Sequence, residues 1–252
     1  MPTCLVVQHV VPEPAFSIEE ALVAAGVTVD TRRLFDGDDI PFDTAGFDGV
    51  VVMGGPMSVN STKGFPSRDA EVSLLADALE VGIPTLGVCL GAQLLAVAAG
   101  GAVARNAHGP EIGWAPIQLD PACRDDPLLA GLPPTLTVLH WHGESFEVPP
   151  GAQHLISSTT YPNQAFRIGD VAWGVQFHLE VTAAAVDGFL HAFAADTAGV
   201  PGGAEAIRAA TPAAVKAVAA ARDLVCGRFA GLVAAGVTGG DLVDLESDLA
   251  AS

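Results

Sequence analysis

Cys89 stands between Gly87-Val88 and Leu90-Gly91, and His178 and Glu180 lie two residues apart far downstream. A thiol, an imidazole and a carboxylate are the groups that sulfur-based nucleophilic catalysis needs. The imidazole takes the thiol proton, and the carboxylate fixes the imidazole's tautomer. The sequence around each group suits that task. Pro84-Thr85-Leu86-Gly87-Val88 is a short apolar run that predicts a buried strand, and residues 93–99 predict a helix closed by Gly100-Gly101. A cysteine with glycine neighbours on a strand-to-helix turn forms a nucleophile elbow, in which small residues let the chain turn sharply. The N–H groups and dipole of the following helix favour thiolate over thiol. Residues 171–178 predict a strand with large apolar residues on one face and Gln176 and His178 on the other. If that strand continues past Phe177, alternation projects His178 and Glu180 together. Taken singly, Cys89 also fits a structural cysteine in a tight turn, and His178 a hydrogen-bonded strand-end histidine.

The remaining elements supply the frame. Strands are expected over 4–9, 27–32 and 47–53, the last holding the buried run Val50-Val51-Val52. Ser17-Ile18-Glu19-Glu20 has the pattern of a capping box opening a helix that stops at Gly26. A second helix is expected over 68–81, after Ser67 as its cap and before Gly82. This β-α-β rhythm predicts an α/β fold with a mostly parallel sheet covered by helices on both faces. Ligands of such sheets bind beyond the carboxyl ends of strands, which brings Gly54-Gly55 near Cys89. Between 113 and 177 the strands follow one another closely, so antiparallel pairs are expected there. Thr182 caps a helix running to about Ala195. Residues 1–197 read as one domain and 198–252 as an alanine-rich helical extension. In the extension, Thr211-Pro212 predicts a helix start with proline at the first helical position, and 241–250 a short final helix.

Composition narrows the function. The chain has 252 residues, half of them hydrophobic, and a formal charge of −18 with only Lys63 and Lys216 as lysines. Such an acidic chain is a poor ligand for a phosphate backbone, so no nucleic-acid partner is expected. Residues 81–104 carry no charge, yet Pro84, Gln93 and several glycines divide them into strand, turn and helix, so no membrane span is expected. The start reads as a core strand without a signal peptide. Cys4, Cys89, Cys123 and Cys226 are scattered with neither zinc-ligand spacing nor a disulfide framework, which suits a reducing cytoplasm. His140 and His142 alternate on one strand like a metal pair, but no third ligand stands at suitable spacing. Neither a metal nor another cofactor is expected.

Four blocks carry a family resemblance: Met53-Gly54-Gly55-Pro56-Met57, Gly87-Val88-Cys89-Leu90-Gly91-Ala92-Gln93, Trp141-His142-Gly143-Glu144 and Gln176-Phe177-His178-Leu179-Glu180. In order and spacing they resemble class I glutamine amidotransferases, over roughly residues 1–195. Glu111-Ile112-Gly113-Trp114 and Pro162-Asn163-Gln164-Ala165-Phe166 place the chain nearest the free-standing proteins similar to the amidotransferase half of GMP synthase. The resemblance implies a flavodoxin-like three-layer fold and glutamine hydrolysis through a thioester on Cys89, with His178 as base and Glu180 as its orienting acid. It implies an oxyanion hole from the backbone N–H groups of Gly55 and Leu90. Gly54, Gln93, Gly143 and Glu144 would contact substrate, although many relatives carry aspartate where Glu144 stands.

Two alternatives remain open at this point. One is a γ-glutamyl peptidase that uses the same thioester but releases an amine or peptide. The other is a non-catalytic binding protein on the same fold. The expected partners are a small molecule (glutamine or a γ-glutamyl compound) and either a separate synthetase or ligase subunit or a second copy of the chain. No segment reads as a synthetase domain.

Overall fold

The computed structural model of the protein describes residues 1–240; the helix expected over 241–250 lies outside the described residues. In chain order the elements are β1 (Thr3–Gln8), α1 (Ser17–Ala24), β2 (Thr28–Arg33), β3 (Gly49–Val52), α2 (Arg68–Val81), β4 (Thr85–Val88), α3 (Leu90–Ala98), β5 (Val103–Arg105) and β6 (Glu111–Leu119). Then follow β7 (Thr135–His142), β8 (Glu144–Phe146), β9 (Gln153–Ser158), β10 (Ala165–Ile168), β11 (Ala172–Val175), α4 (Ala183–Ala192) and α5 (Gly203–Ala235). One nine-stranded sheet has the order β2-β1-β3-β4-β11-β10-β9-β6-β7, and β5 and β8 form a separate ribbon. From β2 to β11 neighbouring strands run parallel. From β11 to β7 they alternate antiparallel, as expected for the later part of the chain. This sheet with helices on both faces is the α/β fold that the sequence predicts.

Alternation along the strands makes two cores. Cys4 and Val6 of β1, Val51 of β3, and Leu86 and Val88 of β4 face the layer formed by α1 and α5. Leu5, Val7, Val50 and Val52 face α2 and α3. A parallel strand buried on both faces needs an unbroken apolar run, and Val50-Val51-Val52 is that run. Gly82 ends α2 in the left-handed conformation at φ 76°, the usual stop for a helix that must turn back toward a strand.

Three helix starts differ from expectation. Ser17 does not cap α1 but is its first residue, after Phe16 at φ 43°. Its backbone N–H points to the carbonyl of Glu180 at 3.4 Å, so the start of α1 is set by contact with the segment that follows β11. Ser67 spends its hydroxyl on Glu71 Oε1, 2.8 Å away, and caps no backbone N–H. In the C-terminal extension no new helix begins at Thr211-Pro212, because α5 runs straight through Pro212. The Thr211 hydroxyl donates to the Ile207 carbonyl one turn back at 2.8 Å. An internal proline costs a helix about 3 kcal/mol. Packing offsets that cost, because Ile207, Val218, Val225, Phe229 and Val233 of α5 are all buried. Thr182, by contrast, caps α4 as expected, accepting from Ala185 N at 3.2 Å.

The antiparallel half of the sheet curls back on the parallel half. His178, three residues beyond β11, donates its backbone N–H to the carbonyl of Leu139 on β7 at 2.8 Å. This closure brings the carboxyl end of β7 over the carboxyl ends of β4 and β11.

Candidate active site

The elbow forms at the end of β4. Cys89 sits at φ 51° and ψ −104°, a conformation rare for a residue with a side chain. Strain of this kind persists where the surroundings over-determine it. Here the Cys89 N–H donates to the Val175 carbonyl of β11 at 2.8 Å, and α3 begins at the next residue. The flanking glycines are steric requirements. A Cβ on Gly91 would overlap the carbonyl oxygen of Val52, and one on Gly87 would run into the backbone of Gly91. Without side chains at both, α3 can start directly on the sheet with the sulfur lifted above it.

His178 and Glu180 meet that sulfur from β11. The strand ends at Val175, so the expected continuation past Phe177 does not occur; the single bridge to Leu139 keeps His178 in place instead. His178 Nδ1 lies 2.8 Å from Glu180 Oε1, and His178 and Cys89 line the same cleft. With Nδ1–H donating to the carboxylate, Nε2 is left for the sulfur. Burial pulls the His178 pKa down, but the Glu180 charge and the hydrogen bonds to Cys89 and Glu180 outweigh it, so the imidazolium is favoured well above the ordinary range. The Cys89 thiol also lies 3.7 Å from the Trp141 carbonyl, and Gln176 Nε2 donates to the sulfur at 3.7 Å.

A cleft of about 660 Å³ opens over these groups. Gly55, Leu90, Gln93, Gly143 and Glu144 all line it with Cys89. Leu90 is the first residue of α3, so its N–H is one of the donors that a helix leaves unpaired. A Cβ on Gly55 would come within 3.0 Å of Leu90 Cδ2, so the Leu90 side chain packs on this glycine. Gln93 Nε2 donates to the Glu144 carbonyl at 3.0 Å and to Gln176 Oε1 at 3.2 Å. Glu144 Oε2 accepts from Ser58 at 2.8 Å, and the Gly143 carbonyl accepts from Asn106 N at 3.0 Å. At Gly54 an added Cβ would meet the Glu13 carboxylate and the His178 ring, both of which line the cleft.

Three groups in the site were not anticipated. The imidazole of His9 is buried, with Nδ1 donating to the Gly54 carbonyl at 3.0 Å and Nε2 paired with Glu71 Oε2 at 2.7 Å. Burial opposes its protonation, but the hydrogen bond and charge of Glu71 prevail and raise its pKa. The pair thus grips the backbone of the glycine loop from behind. Glu13 lines the cleft beside His178 and is almost wholly buried. Burial pushes its carboxyl up to about 7, against the pull of the His178 and His9 cations. Both residues lie just beyond the carboxyl end of β1, where a parallel sheet places functional groups; that position was the available signal. The third is Glu111, which the fold sets beside His140 and His142. The sequence had offered these two histidines no further ligand at useful spacing.

Comparison with known proteins agrees with this geometry. A family model for glutamine amidotransferase class-I matches residues 15–195. The putative glutamine amidotransferase-like protein YfeJ of Salmonella typhimurium is 36% identical over 169 residues, which cover 66% of this chain and 70% of that protein. The glutamine-hydrolysing GMP synthase of Porphyromonas gingivalis is 37% identical over 151 residues, 59% of this chain but only 28% of the synthase. Among solved structures, a glutamine amidotransferase from Thermotoga maritima superposes with a TM-score of 0.81 at 26% identity, covering 92% of this chain and 98% of its own. One from Methylobacillus flagellatus gives a TM-score of 0.73 at 29% identity, covering 93% of each chain. On the matched family model and on these relatives, the chain belongs to the class I glutamine amidotransferases.

Proposed function

We propose that the protein hydrolyses the side-chain amide of glutamine through a γ-glutamyl thioester on Cys89, yielding glutamate and ammonia. The observation that carries this reading is the convergence of a strained, elbow-mounted thiol with a buried His178–Glu180 pair on one cleft. His178 Nε2 holds the proton drawn from the thiol as the Cys89 sulfur attacks the amide carbon. The carbonyl oxygen becomes an oxyanion, held by the N–H groups of Leu90 and Gly55; one such donor is worth roughly 3 kcal/mol. His178 returns its proton to the amide nitrogen, the C–N bond breaks and ammonia leaves. The Glu180 charge raises the proton affinity of the imidazole, which keeps that proton on His178 until the departing nitrogen takes it. A water molecule, deprotonated by His178, then splits the thioester, and glutamate departs as the thiol is restored. Gln93, Gly143 and Glu144 hold the amino-acid head group. His9 and Glu71 keep the Gly54-Gly55 loop in register with the oxyanion.

The ammonia is read as serving a separate acceptor enzyme, by analogy with the GMP synthases of Porphyromonas gingivalis and Leifsonia xyli, of which this chain matches 28% and 30%. Four free cysteines fit a reducing cytoplasm, and among the described residues no helix is long and apolar enough to cross a membrane. One observation favours a second reading. A cleft of about 660 Å³ lies within the range that holds drug-sized ligands, so γ-glutamyl peptides, with bulkier leaving groups, also fit. Parallel turnover of glutamine and of γ-glutamyl dipeptides tests both readings. A higher kcat/KM for glutamine supports the amidase, and the reverse order supports the peptidase. No turnover of either, with Cys89→Ala matching the wild type in function, would leave a binding protein.

A further inference from the structure

Beneath the wall of the cleft, Glu111 at the start of β6 meets His140 and His142 at the end of β7. The two strands are antiparallel neighbours with Glu111 directly opposite His142, and a spacing of two puts both imidazoles on one face. Glu111 Oε2 lies 3.1 Å from His142 Nε2 and 3.4 Å from His140 Nδ1. One donor atom from each residue falls within 4.8 Å of the others. Ligands held at 2.0–2.1 Å around a tetrahedral ion are about 3.3–3.4 Å apart, so small side-chain shifts complete the geometry.

Two further observations point to an ion. His140 is wholly buried, yet neither ring nitrogen makes a well-formed hydrogen bond. A buried imidazole left in that state is costly, and a metal at Nδ1 would satisfy that nitrogen. The surrounding contacts are also those that orient metal ligands. His142 Nδ1 lies 3.1 Å from the Glu144 carbonyl and 3.2 Å from Asn106 Nδ2, which fixes the ring with Nε2 facing Glu111 Oε2. Glu111 is fixed in turn by the Ser158 hydroxyl on Oε1 at 2.8 Å and by Gln164 Nε2 on Oε2 at 2.9 Å. The donor set is one carboxylate and two imidazoles.

We propose that Glu111, His140 and His142 bind one divalent transition-metal ion of the zinc type. Glu111 would ligate through its carboxylate, His140 through Nδ1 and His142 through Nε2, with a water as fourth ligand. Two imidazoles and a carboxylate are a zinc-site ligand set. The ion takes no part in the thiol chemistry. It pins the end of β7 to β6, and with it the Gly143-Glu144 turn that lines the cleft.

The test is metal titration of the chelator-treated, full-length protein. Cobalt(II) should bind at one equivalent with the visible absorption of a four- or five-coordinate nitrogen–oxygen site, and zinc should displace it. Zinc should also raise the melting temperature. Glu111→Gln and His140→Gln should each weaken binding about tenfold or more, whereas His154→Gln, on the surface, should leave it unchanged. Far-UV circular dichroism checks that the variants fold. Absence of cobalt absorption and of zinc stabilisation in the wild type would overturn the proposal, as would unaltered affinity in a folded Glu111 or His140 variant. Should both variants misfold, the wild-type titration decides alone.

Discussion

Replacing Glu13 with glutamine should stabilise the protein at alkaline pH. The Glu13 carboxyl is raised from 4.5 to about 7, chiefly by burial. Folding therefore takes up a proton at this site between those two values. An acid whose pKa rises on folding contributes fully below its unfolded pKa, and that contribution is lost as pH climbs through the folded one. A shift of 2.5 units at 1.36 kcal/mol per unit gives a cost of about 3 kcal/mol for holding the carboxylate buried at pH 8. Glu13→Gln keeps the shape and removes the charge, so it should recover up to that amount at pH 8 and little at pH 5. For a chain of this length the gain corresponds to roughly 6–12 °C in melting temperature. Urea denaturation of both proteins at pH 5 and pH 8 measures it. A wild type as stable as the variant at pH 8, or a difference that fails to shrink at pH 5, would refute the reasoning.

His178→Asn should lower turnover by about 10²–10⁴-fold or more with an unchanged circular dichroism spectrum, since Asn keeps a polar group against Glu180; near-normal rates would remove His178 from the mechanism. Gly91→Ala should yield little folded protein, because the added methyl meets the Val52 carbonyl; normal soluble expression and melting temperature would contradict that packing. Phe229→Ala in α5 should cost about 3–5 kcal/mol in denaturant unfolding, because the ring is fully buried between the extension and the sheet; a cost below about 1 kcal/mol would mean that α5 is not part of the core.

What could be read from sequence was what neighbouring residues encode. The elbow shows in Gly87-Val88-Cys89-Leu90-Gly91 because a sharp turn needs small residues within a few positions of the nucleophile. The His178–Glu180 pair shows because a spacing of two fixes a shared direction, and this survived even though β11 stops at Val175. The groups that remained hidden depend on distant segments meeting. His9 and Glu71 pair across β1 and α2, Glu13 gains its altered acidity only from burial beside His178, and Glu111 reaches His140 and His142 through the β6–β7 register. The helix starts failed for a related reason. Ser17 and Pro212 carry correct local signals, but the contact with Glu180 and the packing of Ile207 and Phe229 override them.

The central claim is that one sulfur of four is made nucleophilic by its setting. Burial pushes Cys123 and Cys226 up to about 12, helped by the charges of Asp126 and Glu180 respectively, and pushes Cys4 higher still. The direct measurement is reaction with a diazo-ketone analogue of glutamine, followed by peptide mass mapping in the wild type and in His178→Asn. The account predicts stoichiometric modification of Cys89 in the wild type, sharply slowed in the variant, with Cys4, Cys123 and Cys226 untouched. Equal labelling of all four cysteines, or labelling of Cys89 at the same rate without His178, would contradict it.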